Sequence, residues 1–451
     1  MLARKEMKLT EGPLFRQIVL FSLPLVLSNL LQVLFNMSDI AVVGQFAGAR
    51  ALGAVGSTAI LVSLFTGFLI GMGSGINVIV ARYLGARRDR DVQESVHTAF
   101  LLMVITGLVL LADGMLFSGP LLQLLGTKSE LIDGAVTYLK LYSLGMPGAA
   151  VFNYGSAVLS AGGDTKRPLV FLSCAGVLNV LLNLFFVIVC HMAEAGVALA
   201  SAVSQSMAAV LIVLSLMHRT EAACLTMRHL RITPSKARQI LSLSIPAGLQ
   251  NAIFAIANLF VQAGVNTFDA VMVEGNSAAA NADGLVYDVM AAIYTACSSF
   301  MSQNYGAGKR KRVIRSYILS LLLSLGVGLF MGLMLVLFGK EFLSIFTRDP
   351  EVIEAGMHRL TVMGISYGFS AFMDCTIAAS RGLGKSVVPT VIVILGSCVF
   401  RVIWVYTVFA YFHTIRSLYL LYIFSWTLTA AAEIVYFARC WREKRERLSD
   451  D

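Results

Sequence analysis

Apolar residues occur in this chain in runs long enough to cross a lipid bilayer, and short polar stretches separate the runs. A span needs about 20 such residues. Twelve runs meet this requirement, near residues 15–38, 51–80, 96–117, 136–160, 168–190, 196–217, 240–265, 276–303, 314–338, 357–379, 387–411 and 417–438. Because a helix satisfies its own backbone hydrogen bonds in lipid, the pattern predicts an all-α polytopic membrane protein with twelve transmembrane helices.

Composition and charge agree with this prediction. Only 14% of the 451 residues are charged and 57% are hydrophobic, whereas soluble proteins carry about 25% charged residues. A soluble globular enzyme and a disordered chain are therefore excluded. With twelve spans, 27 of the 35 basic residues fall on the side of both termini, seven, including Arg359, fall on the other side, and Arg401 lies within a span. The positive-inside rule then predicts a multi-pass protein of the cytoplasmic membrane with both termini cytoplasmic. The net charge of +9 is thus explained by topology, and we expect the lipid bilayer and no nucleic acid as a partner.

The second half of the chain repeats the first at an offset of 221 or 222 residues. Ser22-Leu-Pro24 recurs as Ser244-Ile-Pro246, and Tyr83 and Tyr305 each close a span before a basic loop. Six spans per repeat is an even number, so the two repeats enter the membrane from the same side and are parallel. We therefore predict an N-lobe over 1–217 with helices 1–6, a cytoplasmic linker over 218–236, and a C-lobe over 237–451 with helices 7–12 and a basic tail. Pro234 in the linker predicts a helix start.

Helix 1 carries a polar stripe that ends in an acid. Its members, at steps of three, four and three, are Asn29, Gln32, Asn36 and Asp39. This spacing places all four on one helix face. A carboxylate inside a span is costly and is typical of a functional site, so we predict a cavity-lining stripe with a titratable end. Pro24 lies in the same helix and predicts a kink.

Amides and hydroxyls recur at helical spacing on the neighbouring spans. Helix 5 carries Asn179 and Asn183, and helix 6 carries Ser201 and Gln205. Their oxygen atoms could lie near Asp39 and bind a hard cation or water. Hydrogen bonds that merely join the helices explain the spacing equally well.

The second repeat differs from the first in its acids. Helix 7 repeats the polar stripe with Asn251, Asn258, Gln262 and Asn266, but Val261 stands at the counterpart of Asp39. Helix 10 carries Asp374, whose counterpart is Asn153, and helix 8 carries Tyr287 beside Asp288. We predict that Asn29, Gln32, Asn36, Asn153, Asn258, Gln262, Tyr287 and Asp374 line the substrate cavity.

Two further acids on helix 8 receive structural interpretations. Asp283 is expected near the outer end of the span and in contact with solvent. Asp288 lies deeper, and we expect it to form an ion pair with Arg401, since charges inside a membrane normally find partners.

Recognisable catalytic and metal-binding motifs do not occur in the sequence. Gly384-Lys385-Ser386 ends like a phosphate-binding loop, but Ala379 stands where the first glycine of that motif belongs. The cysteines and histidines show no metal-ligand spacing, and no nucleophile–base cluster is present. We therefore expect no enzyme activity, no metal site and no cofactor, and a membrane-embedded transferase remains only as a remote alternative.

Three segments resemble motifs of the multidrug and toxic compound extrusion (MATE) family. They begin at Phe35, Ser302 and Ala379, and they read FNMSDIAVVG, SQNYGAG and ASRGLGKS. The resemblance extends over essentially the whole chain. It implies a V-shaped, two-lobed antiporter that exports organic cations or other amphiphiles in exchange for H⁺ or Na⁺, and we expect a monomer.

The resemblance also implies residue roles. Asp39 matches the coupling acid, with Pro24 at the bend of the helix, and Asn179 and Ser201 match the family's cation site. Asn183 stands where the family often has Asp, which makes proton coupling through Asp39 the simpler choice over Na⁺. A lipid-linked oligosaccharide flippase of the same superfamily is the alternative function. Acids outnumber bases within the predicted spans, which favours cationic cargo.

Overall fold

The computed structural model describes residues 7–219 and 222–446, and these residues form helices joined by short loops, without a strand. Ten segments within these ranges are long and apolar enough to cross a membrane. The predicted all-α polytopic fold is therefore confirmed. Arg4, Lys5 and Arg447, which contribute to the predicted charge asymmetry, lie outside the described residues.

The first repeat contains seven helices. They are α1 (Leu14–Val42), α2 (Gly48–Gly85), α3 (Asp89–Leu124), α4 (Ser129–Ser143), α5 (Met146–Ala161), α6 (Lys166–Leu184) and α7 (Ala193–Met217). Short π-helical segments follow α1 at Val43–Ala47 and α6 at Phe185–Val189.

The second repeat begins with α8 at Pro234, as the proline predicted. Its helices are α8 (Pro234–Val265), α9 (Ala270–Gly306), α10 (Arg310–Leu343), α11 (Pro350–Gly382), α12 (Val387–Val393), α13 (Phe400–Trp404), α14 (Ala410–Phe412) and α15 (Ile415–Arg445). π-Helical segments Ile394–Val399 and Val405–Phe409 join α12, α13 and α14 into one apolar segment.

Two regions of the chain explain why ten apolar segments correspond to twelve predicted spans. The continuous segment Leu14–Gly85 has 72 residues, about three times the length needed to cross a bilayer once, so it supplies the first two spans, α1 and α2. The predicted span 136–160 is made instead by α4 and α5, each too short alone. Their junction lies at Leu144 and Gly145, just before Pro147, whose ring disfavours a continuous helix.

The chain forms two compact units whose boundaries differ from the predicted lobes. Unit 1 comprises Met1–Lys8 and Leu27–Gly248, and unit 2 comprises Leu9–Val26 and Leu249–Asp451. Helices α1 and α8 are each divided between the units, two residues after Pro24 and Pro246. A proline inside a helix removes one backbone hydrogen bond, which makes each of these places a natural point of division.

Within unit 2, a strap of hydrogen bonds holds the segment that precedes α1. Arg312 donates from Nη1 to the carbonyl of Gly12 (2.8 Å) and from Nη2 to the carbonyl of Leu9 (3.2 Å). Asn304, in the predicted SQNYGAG motif, donates to the same Leu9 carbonyl at 3.1 Å. Leu9 itself is fully buried.

Within unit 1, an equivalent strap holds the start of α8. Lys236 forms an ion pair with Asp91 and lies 3.9 Å from the ring centre of Tyr83. The phenol of Tyr83 in turn donates to Gln239 at 2.6 Å. The segment before α1 is therefore fixed beside the loop that follows α9, and the start of α8 is fixed beside the loop that follows α2.

Candidate functional site

The stripe on α1 has members in different surroundings. Asn29 and Asp39 are half-buried, whereas Gln32 and Asn36 are exposed. All four belong to unit 1, and Asp39 is the acidic residue among them. The helical spacing thus predicted a common strip, while the surrounding helices of unit 1 decide which of its side chains are covered.

Three side chains from α6 and α7 surround the carboxylate of Asp39. Asn183 donates from Nδ2 to Asp39 Oδ1, and Ser201 donates from Oγ to Asp39 Oδ2 at 3.2 Å. Asn179 lies behind them, since it donates to Ser201 at 3.3 Å and accepts from Asn183 at 3.3 Å. The structure therefore brings together Asp39, Asn179, Asn183 and Ser201, the four residues that the sequence grouped as a coupling site.

Local helix geometry explains why these side chains converge. Asn179 and Asn183 are one turn apart on α6, so they point the same way. Both are buried, as is Ser201 on α7. The π-helical segment Phe185–Val189 begins two residues after Asn183. Such segments shift the register of the side chains that follow and are frequent at functional sites.

Asp39 accepts hydrogen bonds from uncharged side chains. Neither of its two partners is basic, and no described residue forms an ion pair with it. The amide oxygen of Asn183 is buried and has no hydrogen-bond partner among residues 7–219 and 222–446. The cluster therefore combines one uncompensated carboxylate with a free amide oxygen.

Two tyrosines on α4 were missed by the sequence analysis. Tyr138 and Tyr142 are stacked with ring centres 5.8 Å apart, and both interact electrostatically with Asp39. Tyr142 also accepts a hydrogen bond from Gln205 at 3.3 Å. Their spacing of four residues was a usable signal, but it is equally common in ordinary apolar packing.

Unit 2 contains the second acid that the sequence singled out. Asp374 on α11 is buried and accepts a hydrogen bond from Ser370, one turn earlier, at 2.8 Å. Its counterpart in unit 1, Asn153, is half-buried and donates to the carbonyl of Ala149 on its own helix at 2.9 Å. Tyr287, the predicted cavity residue of α9, exposes 47% of its surface.

The polar stripe of α8 binds side chains of unit 2. Asn258 accepts from Arg401 at 2.8 Å. Gln262 accepts from Asn276 at 3.1 Å and donates to Asn266 at 2.8 Å. These two predicted cavity residues are thus engaged by other side chains of unit 2.

The structure tests both interpretations of the acids on α9. Asp283 is buried, and Arg359 binds it at 2.6 Å while Tyr367 donates to its other oxygen. The expectation of a solvated Asp283 was therefore wrong. The ion pair predicted between Asp288 and Arg401 is not among the contacts of Arg401, which donates to Asn258 and lies over the ring of Tyr422.

Arg359 was counted among the basic residues of the outer face, whereas it lies inside α11 and is buried. Besides Asp283, it donates to Asn276 at 2.8 Å and lies 5.4 Å from the ring centre of Tyr422. The predicted span began at residue 357, which placed Arg359 in its first turn, at the edge of the membrane. The helix begins at Pro350 and ends at Gly382, so it extends beyond the predicted span 357–379 at both ends.

Comparison with known proteins places these observations in a family. A family model described as MatE matches residues 24–185 and 246–407, two ranges that begin 222 residues apart. A relative from Bacillus subtilis, named probable multidrug resistance protein YpnP, is 30% identical over 80% of each chain. A relative from Shewanella oneidensis, named FAD transporter, is 26% identical over 80% of each chain.

The fold is also found among solved structures. One described as a MOP superfamily transporter from Pyrococcus furiosus superposes with a TM-score of 0.90 at 20% sequence identity. The match covers 98% of this chain and 100% of the other. At this level of identity the likeness concerns the fold alone.

Proposed function

Because this chain belongs to the MatE family of multidrug efflux transporters, we propose that it exports small cationic or amphiphilic molecules in exchange for protons, with Asp39 as the coupling carboxyl. Family membership confirms the predicted resemblance and the two sequence repeats. It also makes the protein a multi-pass membrane transporter of small molecules and not an enzyme. The coupling ion, the class of cargo and the sidedness belong to the proposal.

The surroundings of Asp39 carry this proposal. A carboxylate within a membrane span is stable only if it is paired, protonated or bound to a cation. Asp39 has an amide and a hydroxyl as partners and no basic neighbour that neutralises its charge. A proton can do so, and its release would leave a carboxylate that Asn183 and Ser201 continue to stabilise by hydrogen bonding.

Asn183 is suited to both protonation states of Asp39. In the structure its amide nitrogen donates to the carboxylate, while its buried oxygen has no partner among the described residues. Half a turn of the amide would present that oxygen to Asp39 as the acceptor for a carboxyl proton. One side chain could thus hold Asp39 in place whether or not the proton is bound.

Sodium is the competing ion. A hard monovalent cation prefers oxygen ligands, and the cluster offers oxygens from Asp39, Asn179, Asn183 and Ser201. It contains a single carboxylate, however, because Asn183 stands where the family often has Asp. One negative charge among neutral groups suits a proton better than a cation that must give up its hydration shell.

Asp374 supports cationic cargo. Its side chain is buried and its hydrogen-bond partner, Ser370, is neutral, so a positively charged ligand would gain from its field, against the opposing fields of Arg381 and Arg401. The ion pair of Asp283 and Arg359 reduces the excess of acids over bases that the sequence suggested, and the proposal therefore relies on Asp374 itself. We place the protein in the cytoplasmic membrane with both termini in the cytoplasm, on the strength of the loop charges.

Efflux from proteoliposomes tests the proposal directly. Purified protein should drive efflux of a cationic dye when a pH gradient is imposed, and do so weakly under a Na⁺ gradient at constant pH. The Asp39→Asn variant should lose the response to the pH gradient, because the amide keeps the size of the side chain but cannot titrate. Wild-type efflux rates in Asp39→Asn, or efflux driven by Na⁺ alone, would overturn the proposed coupling.

A second class of cargo, an anionic aromatic molecule, is favoured by one observation in unit 2. The buried guanidinium of Arg401 lies among the rings of Phe254, Tyr422 and Trp426, and its Nε has no hydrogen-bond partner within the described parts of the chain. The relative from Shewanella oneidensis carries the name FAD transporter. Inhibition of dye efflux by FAD at a concentration where a neutral dye has no effect would favour this class over cations.

A further inference from the structure

Helix α15 carries a fully buried acid, Glu433. It belongs neither to the sequence motifs nor to the Asp39 cluster. Glu433 has 0% of its surface exposed. Both of its carboxyl oxygens are buried without a hydrogen-bond partner among residues 7–219 and 222–446. Burying an ionised carboxylate without partners costs several kcal/mol, on the order of the desolvation penalty of one ion. The neutral acid is the form that this environment accommodates.

The helix face that carries Glu433 points into unit 2. Thr429, one turn earlier, lies 2.9 Å from the hydroxyl of Ser397, and Ser397 in turn contacts the sulfur of Met373 at 3.6 Å. Phe437, one turn later, is buried against Tyr317. Glu433 therefore points toward α11, which packs along α15, and not toward the lipid.

Two charged groups of α11 act on Glu433. They are the guanidinium of Arg381 and the carboxyl of Asp374. The guanidinium groups of Arg359 and Arg401 also lie against α15, over rings that include Tyr422, but Arg359 binds Asp283 and Arg401 binds Asn258. The remaining titratable groups near this face are Tyr317 on α10, which packs against Phe437, Cys398 on the π-helical segment Ile394–Val399, and Tyr436 and Cys440 on α15 itself.

Arg381 is only partly engaged. Its Nη2 donates to Gln250 at 2.7 Å, while its Nε is buried and has no partner in the part of the chain described. A free donor on a cation and two free acceptors on an acid thus belong to the same part of unit 2. Such an arrangement has a second state, in which the acid is ionised and the guanidinium donates to it.

We propose that the Glu433 carboxyl is a proton-binding site of unit 2, with Arg381 as the partner that stabilises it after the proton leaves. In the proton-bound state Glu433 is neutral, and Arg381 keeps the hydrogen bond to Gln250 that the structure shows. On release the proton passes to water, and the carboxylate that remains accepts a hydrogen bond from Arg381. This site is separate from the Asp39 cluster, which belongs to unit 1, and does not depend on its role in coupling.

Infrared difference spectroscopy tests the proposal without a transport assay. We would titrate full-length protein in phosphatidylcholine nanodiscs and follow the carbonyl stretch of protonated carboxyl groups. As the pH is raised, the wild-type protein should lose one such band. The spectrum of Glu433→Gln should lack this band at every pH. Asp39→Asn should show the same band, and the band should disappear at the same pH as in the wild type. Glu341→Gln should do so too, because Glu341 is exposed in the wild-type protein.

Arg381→Gln provides the second measurement. Without the guanidinium, the ionised form of Glu433 loses its partner, so the band should survive to a pH about one unit higher or more. Spectra of Glu433→Gln that match the wild type throughout the titration would overturn the proposal. If Glu433→Gln cannot be purified in a folded form, an unchanged midpoint in Arg381→Gln would overturn it. Loss of proton-driven efflux in Asp39→Asn has no bearing on either result, so the two proposals can fail separately.

Discussion

The polar cluster around Asp39 in unit 1 and the one around Asp283 in unit 2 use similar residues in opposite ways. Asp39 is half-buried and bound by neutral donors. Asp283 is buried, and a guanidinium and a phenol occupy its two oxygens. The charge of Asp283 is therefore compensated within the fold, whereas no basic group among the described residues compensates the charge of Asp39.

The repeat shows how this difference arose in the sequence. At the repeat offset, Val261 replaces Asp39, while Leu61 and Tyr138 stand at the counterparts of Asp283 and Arg359. At the positions of Asp39 and Asp283, one repeat thus has an acid where the other has an apolar residue. Unit 2 adds an arginine beside its acid, and unit 1 adds a tyrosine. The counter-ion, more than the burial of the acid, therefore distinguishes Asp283 from Asp39, the carboxylate for which we propose ion exchange.

The largest effect on folding is expected from breaking the compensated pair. Asp283→Asn should destabilise the protein by about 3–5 kcal/mol, because it leaves the buried charge of Arg359 without its counter-ion. The measurement is thermal unfolding in detergent, followed by the loss of monodisperse protein. Asp39→Asn is the matched control and should unfold near the wild-type temperature. Equal losses in the two variants would mean that the clusters do not differ as described.

A smaller and more selective effect is expected at Asp374. Asp374→Asn should weaken transport of cationic dyes more than that of neutral ones, since a buried carboxylate favours a positive ligand. Apparent affinities for a pair of dyes of similar size, one cationic and one neutral, provide the measurement. Equal losses for both would reject charge recognition and leave a packing role for the hydrogen bond to Ser370.

Adding a charge to the Asp39 cluster should change its ion preference. Asn183→Asp places a second carboxylate in contact with Asp39, which strengthens the attraction for a hard cation. Two close carboxylates also resist double ionisation, so the pair should bind its first proton at higher pH than Asp39 alone. Dye efflux as a function of Na⁺ and of pH measures both changes. A variant with the wild-type dependence on both would show that this contact does not influence coupling.

The smallest expected effect concerns Ser201. Ser201→Ala removes one hydrogen bond to Asp39 Oδ2 while Asn183 keeps the other, and a bond to a charged group is worth about 1.5–3 kcal/mol. We expect the pH profile of efflux to shift toward alkaline values, because the ionised form of Asp39 loses a donor. Ser206→Ala, on the same helix but bonded only to the carbonyl of Ala202, is the control and should keep the wild-type profile.

The sequence predicted the helices well because each apolar run has the length that a bilayer requires. It also grouped Asp39 with Asn179, Asn183 and Ser201, since helical spacing and family resemblance pointed to the same residues. It missed the partner of Asp283, because Arg359 lay near the edge of an apolar run and the rotation of α11 about its axis is set by packing. Spacing along one helix cannot give that rotation, which is also why Tyr138 and Tyr142 went unnoticed.

The two straps have a consequence for how the two repeats depend on each other. The segment Leu9–Val26 opens the first repeat but belongs to unit 2, and the corresponding stretch of the second repeat, up to Gly248, belongs to unit 1. A protein made of one repeat would lack the part of a first helix that the other repeat supplies to its unit, so two such chains would complete their units only by exchanging the first parts of their first helices, a form of domain swapping. In this chain the same exchange takes place within one polypeptide, so the two repeats complete each other's units while their side chains differ in charge.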